Sequence, residues 1–400
     1  MVFMIIPRPI SITVPLSLVG VVVASCAPAP QSNASEPRET SGAAAPSSET
    51  DGFPGFTLAE MGTFDEPWAL AFEPGTGRLF ITEKKGNIRI REPNGAMGSV
   101  SGVPRVDYGG QGGLGDFVFG PDYARTGQVY LSWVEAGDGD TRGAVVGRAR
   151  LICEESGTNC TLDGLETIWR QTPKVTGRGH YSHRIAFSPD GQYLFITSGE
   201  RQKKDPAQDL SNTLGTIVRL LPDGTPAPGN PFADRGGASA QIWSYGHRNM
   251  LGIDFDPEGR LWVLEHGPKG GDELNLVQKG GNYGWPAVSN GVNYDGTPIP
   301  DNDTRPQFIA PRIGWTPVIA PGNFIFYTGD MFPALQGQAI IAGLKTKAII
   351  RVGFDGTTPT ELERHPMERR IREVAQGPDG AIWAVEDEGD ARLWRLTPAE

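Results

Sequence analysis

HRIAFSPDGQYLFITSGE, running from His183 to Glu200, is the stretch on which the fold turns. Apolar residues alternate on either side of Ser188-Pro189-Asp190-Gly191, where proline fixes a torsion, aspartate offers a local hydrogen bond and glycine accepts a positive φ. That is a tight turn between antiparallel strands. The same order of apolar run, turn and apolar run recurs in WALAFEPGTGRLFITE from Trp68, LGDFVFGPDYARTGQVYLSW from Leu114 and MLGIDFDPEGRLWVLEHG from Met250. A looser copy, GNFIFYTGDMFPALQGQAIIAG, starts at Gly322, and IREVAQGPDGAIWAVEDE starts at Ile371, making six copies. They begin roughly 50 to 70 residues apart, room for a four-stranded sheet and variable loops, so each copy reads as one blade of a propeller. No segment keeps a helical period beyond a turn or two. The expected fold is all-β, a six-bladed β-propeller over residues 53–400; a β-sandwich would not repeat one hairpin in this way.

Residues 1–26 read as an export address. Met1 to Arg8 carries one positive charge, and the apolar run from Ser11 to Val23 is broken by Pro15 and too short to span a bilayer. Val23-Ala24-Ser25-Cys26 resembles the bacterial lipoprotein signal, with cleavage before Cys26 and lipidation of its thiol; an ordinary secretory signal is the alternative. Both make the mature protein exported, either periplasmic or anchored at the outer membrane by lipid on Cys26, which would be its only membrane contact. Residues 27–52 are Ala, Pro, Ser, Glu and Thr with almost nothing large and apolar, a composition expected of a disordered tether. Cys153 and Cys160, flanking Gly157 and Asn159, read in an oxidising compartment as a small disulfide closing a hairpin, with two free thiols as the other possibility. A net charge of −11 and the lack of any Lys/Arg block argue against nucleic acid as a partner.

Against that acidic background the clustered cations need a reason. Arg248 lies in YGHRN, Lys345 in AGLKTK, and Arg370 and Arg372 in RRIRE, where alternation places both guanidinium groups on one face of a strand. His180, His183, His247 and His266 fall in loops beside the hairpins, with only His365 elsewhere. Glycines surround His247, His266 and the acidic pair Asp272 and Glu273, as expected where backbone approaches a ligand. In a propeller such residues, far apart in sequence, converge over the central channel.

Taken in order, GQGGLGDF, GHYSHRIAF, YGHRN, EHGPKGGDELN and GGNYGWP resemble the soluble pyrroloquinoline quinone (PQQ) dependent aldose sugar dehydrogenases, relatives of soluble glucose dehydrogenase. The likeness runs from about Phe56 to the C-terminus. It implies that His180 is the catalytic base and that Gln111, Arg248, Asn249, Lys345, Arg370 and Arg372 hold PQQ; His266 stands where relatives often have glutamine or histidine. The carbonyls of Gly267 and Pro268 would face an active-site calcium ion (Ca2+), and Glu273 with the backbone of Tyr283 match a second, structural calcium position. The residue types suit these roles, since arginine pairs bidentately with carboxylates and calcium takes hard oxygen ligands.

The implied reaction oxidises an aldose at its anomeric carbon to an aldonolactone. His180 takes the hydroxyl proton, hydride passes to the quinone beside calcium, Arg248 stabilises the charge that develops on the quinone oxygen, and electrons leave to an external acceptor such as a cytochrome, a quinone or a dye. Two features depart from the family pattern. His183 replaces a small residue and is expected to narrow the sugar site or add a polar contact, and Thr176-Gly177-Arg178-Gly179 lacks the acidic neighbour of glucose-specific members. The rival readings are a calcium-dependent, lactonase-like propeller hydrolase, with His180 or His266 activating water and Asp272 and Glu273 on the metal, and a binding propeller without catalysis.

Overall fold

The computed structural model describes residues 53–154 and 158–399; the leader, Cys26 and the tether expected over 27–52 lie outside the described residues. Strand β1 (Phe56–Phe64) is followed by an antiparallel meander, β2 (Pro67–Phe72), β3 (Leu79–Glu83), β4 (Asn87–Arg91) and β5 (Met97–Ser101). A second meander follows in β6 (Leu114–Phe119), β7 (Gln128–Ala136), β8 (Arg142–Cys153) and β9 (Cys160–Arg170). These two share one eight-stranded sheet because β5 and β9 pair in parallel over just Val100/Cys160 and Ser101/Thr161.

Separate four-stranded sheets come next. One contains β10 (Ser182–Phe187), β11 (Leu194–Ser198), β12 (Thr216–Leu220) and β13 (Ile242–Tyr245). Another contains β14 (Met250–Phe255), β15 (Leu261–Glu265), β16 (Asp272–Leu276) and β17 (Ile313–Trp315). A further sheet holds β18 (Pro321–Phe326), β19 (Ala339–Gly343), β20 (Ala348–Asp355) and β21 (Thr358–Pro366). In the last sheet β22 (Ile371–Gln376), β23 (Ile382–Glu386) and β24 (Ala391–Pro398) are completed by β1 from the start of the chain, which pairs with β24 from Phe56/Pro398 to Phe64/Ala391. That non-local pairing fastens the two ends of the sheet array. Among the described residues the α-helical content is one four-residue turn, α1 (Tyr123–Thr126).

The leading strands touch in sequence, β2 to β6, β6 to β10, β10 to β14, β14 to β18 and β18 to β22, and β22 returns to β2. The sheets therefore close a ring, which is the propeller architecture. Both faces of each sheet meet a neighbour, and so β3 (LFITE), β11 (LFITS), β15 (LWVLE), β19 (AIIAG) and β23 (IWAVE) are buried at every position. The clean alternation expected of half-buried strands gives way to continuous burial for this reason. Phe80, Phe117 and Trp133 pack in one intersheet layer, and Trp262, Phe324, Ile341 and Ile350 in another.

The turn chemistry behaves as the sequence suggests. Gly191, Gly259 and Gly380 sit at φ of 70°, 77° and 82°, and their N–H groups donate back to Ser188, Asp256 and Gly377. Cys153 and Cys160 form a disulfide across the β8–β9 hairpin. His183 is a correction: it lies within β10 and is buried, rather than in a loop.

One shared irregularity positions the site. Each leading strand shifts register near its first residues, between Pro67 and Ala69, Leu114 and Phe117, Ser182 and Ile185, Met250 and Gly252, Pro321 and Phe324, and Ile371 and Glu373. Bulges re-aim side chains. Here they do so all around one end of the channel.

Candidate active site

A cavity of about 310 Å³ opens at that end. Gln111, Asn249, His266, Arg370 and Arg372, drawn from separate loops and strand ends, all line it. His180 flanks the same wall: its backbone N–H donates to Gln111 Oε1 at 2.6 Å, and Tyr181, Ser182 and His183 continue along the lining. Asn249 Oδ1 accepts from Ser182 Oγ at 3.3 Å, tying the YGHRN loop to the start of β10. The channel thus brings together Gln111 and Arg372, 261 positions apart in the chain.

Arg370 and Arg372 converge on one carboxylate. Arg370 Nε donates to Asp387 Oδ2 at 2.8 Å and Arg372 Nε to Oδ1 at 2.9 Å. Burial alone would raise the Asp387 carboxyl, but the two guanidinium groups hold it below the usual value. This anchor fixes both forks and leaves further N–H groups for an anion in the cavity. Arg248 is buried beside the cavity; one of its Nη atoms donates to the His266 carbonyl at 3.1 Å, and its Nε has no partner among the described residues. His266 Nε2 donates to the Pro321 carbonyl at 2.6 Å, and burial holds its imidazole neutral, with a pKa of about 3.

Lys345 is placed differently. Its side chain is exposed, while its neighbour Leu344 lines the cavity. Gly267, Pro268, Glu273 and Tyr283, the residues that the resemblance implies for two calcium positions, border a single small cavity of about 10 Å³ together with Arg248 and His266; among the described residues no group of three or more His, Cys, Asp or Glu side chains forms a metal cluster. Burial and the nearby Glu265 push the Glu273 carboxyl up to about 8. Asn275 donates to both Glu265 Oε1 (3.0 Å) and Glu273 Oε2 (3.2 Å), yet its own Oδ1 is buried without a partner. Buried oxygens that lack a counter-charge are what a hard cation satisfies.

The residue that sequence reasoning missed is Glu200. It is completely buried, its Oε1 lies 2.5 Å from His180 Nδ1, and its Oε2 accepts the Lys204 N–H at 2.6 Å. With Nδ1–H donated to this carboxylate, His180 presents an unprotonated Nε2. Burial lowers the His180 pKa, Glu200 opposes that shift, and Arg248 reinforces it. The Glu200 carboxyl, which burial would raise, is held low by the hydrogen bond from His180. Glu200 closes the same repeat that His183 opens, and its place at the end of the apolar run is the signal that could have found it.

His183, which also lines the cavity, and His247 are fixed by hydrogen bonds and stacking. His183 Nδ1 bonds Ser132 Oγ at 2.8 Å, and its ring stacks on Trp68 at 4.9 Å with a 9° interplanar angle. His247 is wedged between Ser244 Oγ and Glu265 Oε1, each 2.9 Å away, and stacks on Tyr283. Glu66 and Lys84, which the sequence did not single out, also face the cavity. Lys84 Nζ donates to the Gly110 carbonyl at 3.2 Å and pairs with Glu66 at 3.3 Å.

A ringed all-β scaffold with a cation-lined cavity and an imidazole–carboxylate pair defines a class of enzymes rather than a structural module. The chain belongs to the glucose/sorbosone dehydrogenase family, whose profile matches residues 64–395, and it is a sugar dehydrogenase, an oxidoreductase acting on CH–OH groups. It is 40% identical over 342 residues to the aldose sugar dehydrogenase YliI of Escherichia coli, covering 84% of this chain and 90% of that protein. The crystal structure of the soluble E. coli aldose sugar dehydrogenase in its apo form superposes with a TM-score of 0.82 at 37% identity, over 86% of this chain and 100% of that one. The PQQ-bound aldose sugar dehydrogenase of Streptomyces coelicolor superposes with a TM-score of 0.70 at 28% identity, over 86% and 98% of the two chains.

Proposed function

We propose that this protein is a six-bladed propeller that oxidises aldoses at the anomeric carbon to aldonolactones, using PQQ and calcium and passing electrons to an external acceptor. The two-residue link between β5 and β9 supports counting the eight-stranded sheet as two blades. The observation that carries the functional reading is the placement of Arg370 and Arg372 on the cavity that Gln111 joins to His180 and Glu200.

The donor set fits a planar tricarboxylate. Arg370, Arg372, Gln111 and Asn249 line the cavity, and the orphaned Nε of Arg248 beside it is a buried donor awaiting an acceptor. These residues would hold PQQ, and the Gly267 and Pro268 carbonyls with Glu273 and Tyr283 would hold calcium. Bound there, the quinone would supply a two-electron oxidant and calcium a Lewis acid.

The protein's own groups do the rest. His180 Nε2 accepts the proton of the anomeric hydroxyl as hydride leaves the anomeric carbon. Glu200, 2.5 Å from Nδ1, holds the productive tautomer and stabilises the imidazolium that forms. Arg248 brings positive charge to the side of the cavity where negative charge develops. Export, with a lipid on Cys26 as the sole membrane contact, is part of this proposal and rests on the leader sequence.

Reconstitution tests the reading. Purified protein freed of cofactor should reduce a dye in the presence of an aldose only after PQQ and calcium are added. Lactone hydrolysis without any dye reduction would instead establish the hydrolase.

A further inference from the structure

Arg201 is fully buried, and no carboxylate pairs with it among the described residues. Its guanidinium is satisfied mainly by backbone instead: Nε donates to the Gly179 carbonyl at 2.9 Å, one Nη to the Arg142 carbonyl at 2.6 Å and more distantly to Gln171 Oε1 at 3.5 Å, and the other Nη to the Gly177 carbonyl at 2.5 Å. Its plane lies 3.8 Å over the Tyr181 ring. Two of these carbonyls, Gly177 and Gly179, belong to the loop that delivers His180, and the third ties that loop to the start of β8. That loop is latched a second time by Arg201 N–H to the His180 carbonyl at 3.2 Å and Gly199 N–H to the Tyr181 carbonyl at 3.1 Å.

The backbone here needs such restraint. His180, Ser182 and His183 have φ of 50°, 58° and 60°, and on the facing segment Arg201 and Gln202 have 61° and 59°. Residues with side chains hold left-handed conformations in series only where their surroundings over-determine them. A guanidinium suits the task because its planar fork reaches several carbonyls at once and stacks on an aromatic face, which an ammonium cannot do.

We infer that Arg201 is the positioning residue of the base, clamping the Gly177–Tyr181 loop so that the His180 imidazole stands fixed between Glu200 and the cavity. This rests on His180 being the base proposed above. A buried charge is a costly way to tie down a loop. Its charge has a second consequence: Arg248 and Arg201 both disfavour the imidazolium of His180, against Glu200 which favours it.

The test uses the full-length protein, with Arg201→Lys and Arg201→Gln. In the reconstituted enzyme both should lower kcat about 30-fold or more while KM for the sugar and the PQQ concentration giving half activity stay within about threefold, because the clamp acts on the base and not on ligand binding. A kcat within about twofold of the parent overturns the inference, as does a loss that follows cofactor affinity. A second readout needs no activity. By NMR of histidine-labelled apo-protein, His180 should titrate at higher pH in Arg201→Gln, which removes the charge, and closer to the parent in Arg201→Lys, which keeps it. An unchanged His180 titration in Arg201→Gln overturns the inference even if the parent protein oxidises no sugar, an outcome that would independently sink the proposed function. Should neither variant fold, Tyr181→Leu, which removes the ring under the guanidinium, should show the same split of kcat from cofactor affinity, and parental turnover in it overturns the assignment.

Discussion

Glu200 Oε1, just after β11, and His180 Nδ1, just before β10, lie 2.5 Å apart and both residues are buried, with His180 at φ 50°. The pair does for the imidazole what an acidic residue in the preceding loop would otherwise do. The TGRG segment therefore needs no carboxylate of its own.

His180→Gln should leave PQQ bound and lower sugar oxidation by roughly a hundredfold to ten-thousandfold, the usual cost of losing a general base. Glu200→Gln should cost less, about 10- to 100-fold, and should move the acidic limb of the kcat/KM profile. The sign is fixed by the carboxylate: Glu200 raises the His180 pKa, so its removal lets the imidazole titrate at still lower pH. Steady-state rates from pH 4 to 9 check both. A limb that moves to higher pH in Glu200→Gln contradicts the assigned pairing.

Arg370→Ala and Arg372→Ala should each weaken cofactor retention about 10- to 100-fold, the scale of one or two charged hydrogen bonds. Lys345→Ala should matter less, within about threefold, because its side chain is exposed. The PQQ concentration giving half activity, measured on reconstitution, ranks the three. A Lys345 effect equal to that of Arg370 would mean that this side chain turns inward when the anion arrives.

The architecture was legible because its signal is local and repeated. A Pro-Asp-Gly turn between apolar runs means the same thing at Ser188 and at Gly377, and repetition removes the doubt attached to one copy. Pairing of β1 with β24 carries no local signal, since Phe56 and Pro398 are 342 positions apart in the chain. In the site, Arg248 stood out by its glycine-rich setting, whereas Gln111 was legible only through the resemblance of GQGGLGDF to the family. Glu200 was missed because it ends a strand hairpin and looks like solvated polarity, although it is wholly buried. Lys345 was legible as a cation but not in its direction, which depends on how the chain turns after β19.

Calcium should stabilise the fold through the small cavity beside Glu273. Burial, with Glu265 alongside, raises this carboxyl, and a divalent ion there would favour its charged form. Chelation should lower Tm by about 1 to 3 °C, the shift that 1 to 2 kcal/mol produces at this size. Glu273→Gln should abolish the difference between chelated and calcium-loaded protein. A calcium-dependent Tm that survives in Glu273→Gln would place the ion elsewhere.

Gly115 and His183 should prove energetically coupled. A Cβ built on Gly115 would fall 2.0 Å from the His183 ring and 2.8 Å from Ser132 Oγ, so Gly115→Ala cannot be accommodated while the imidazole is stacked on Trp68. Overpacking of this kind typically costs about 1–3 kcal/mol. Replacing His183 with serine removes the ring and opens the space, at the cost of its bond to Ser132. The double variant Gly115→Ala/His183→Ser should therefore be more stable than the sum of the single losses allows, by about 1 kcal/mol or more. Urea unfolding of the four proteins measures that coupling, and strict additivity would show that the glycine is not there to make room for this histidine. The same set, assayed on a panel of aldoses, reads whether the imidazole floor sets the width of the sugar site: His183→Ser should raise activity most for the bulkiest sugars.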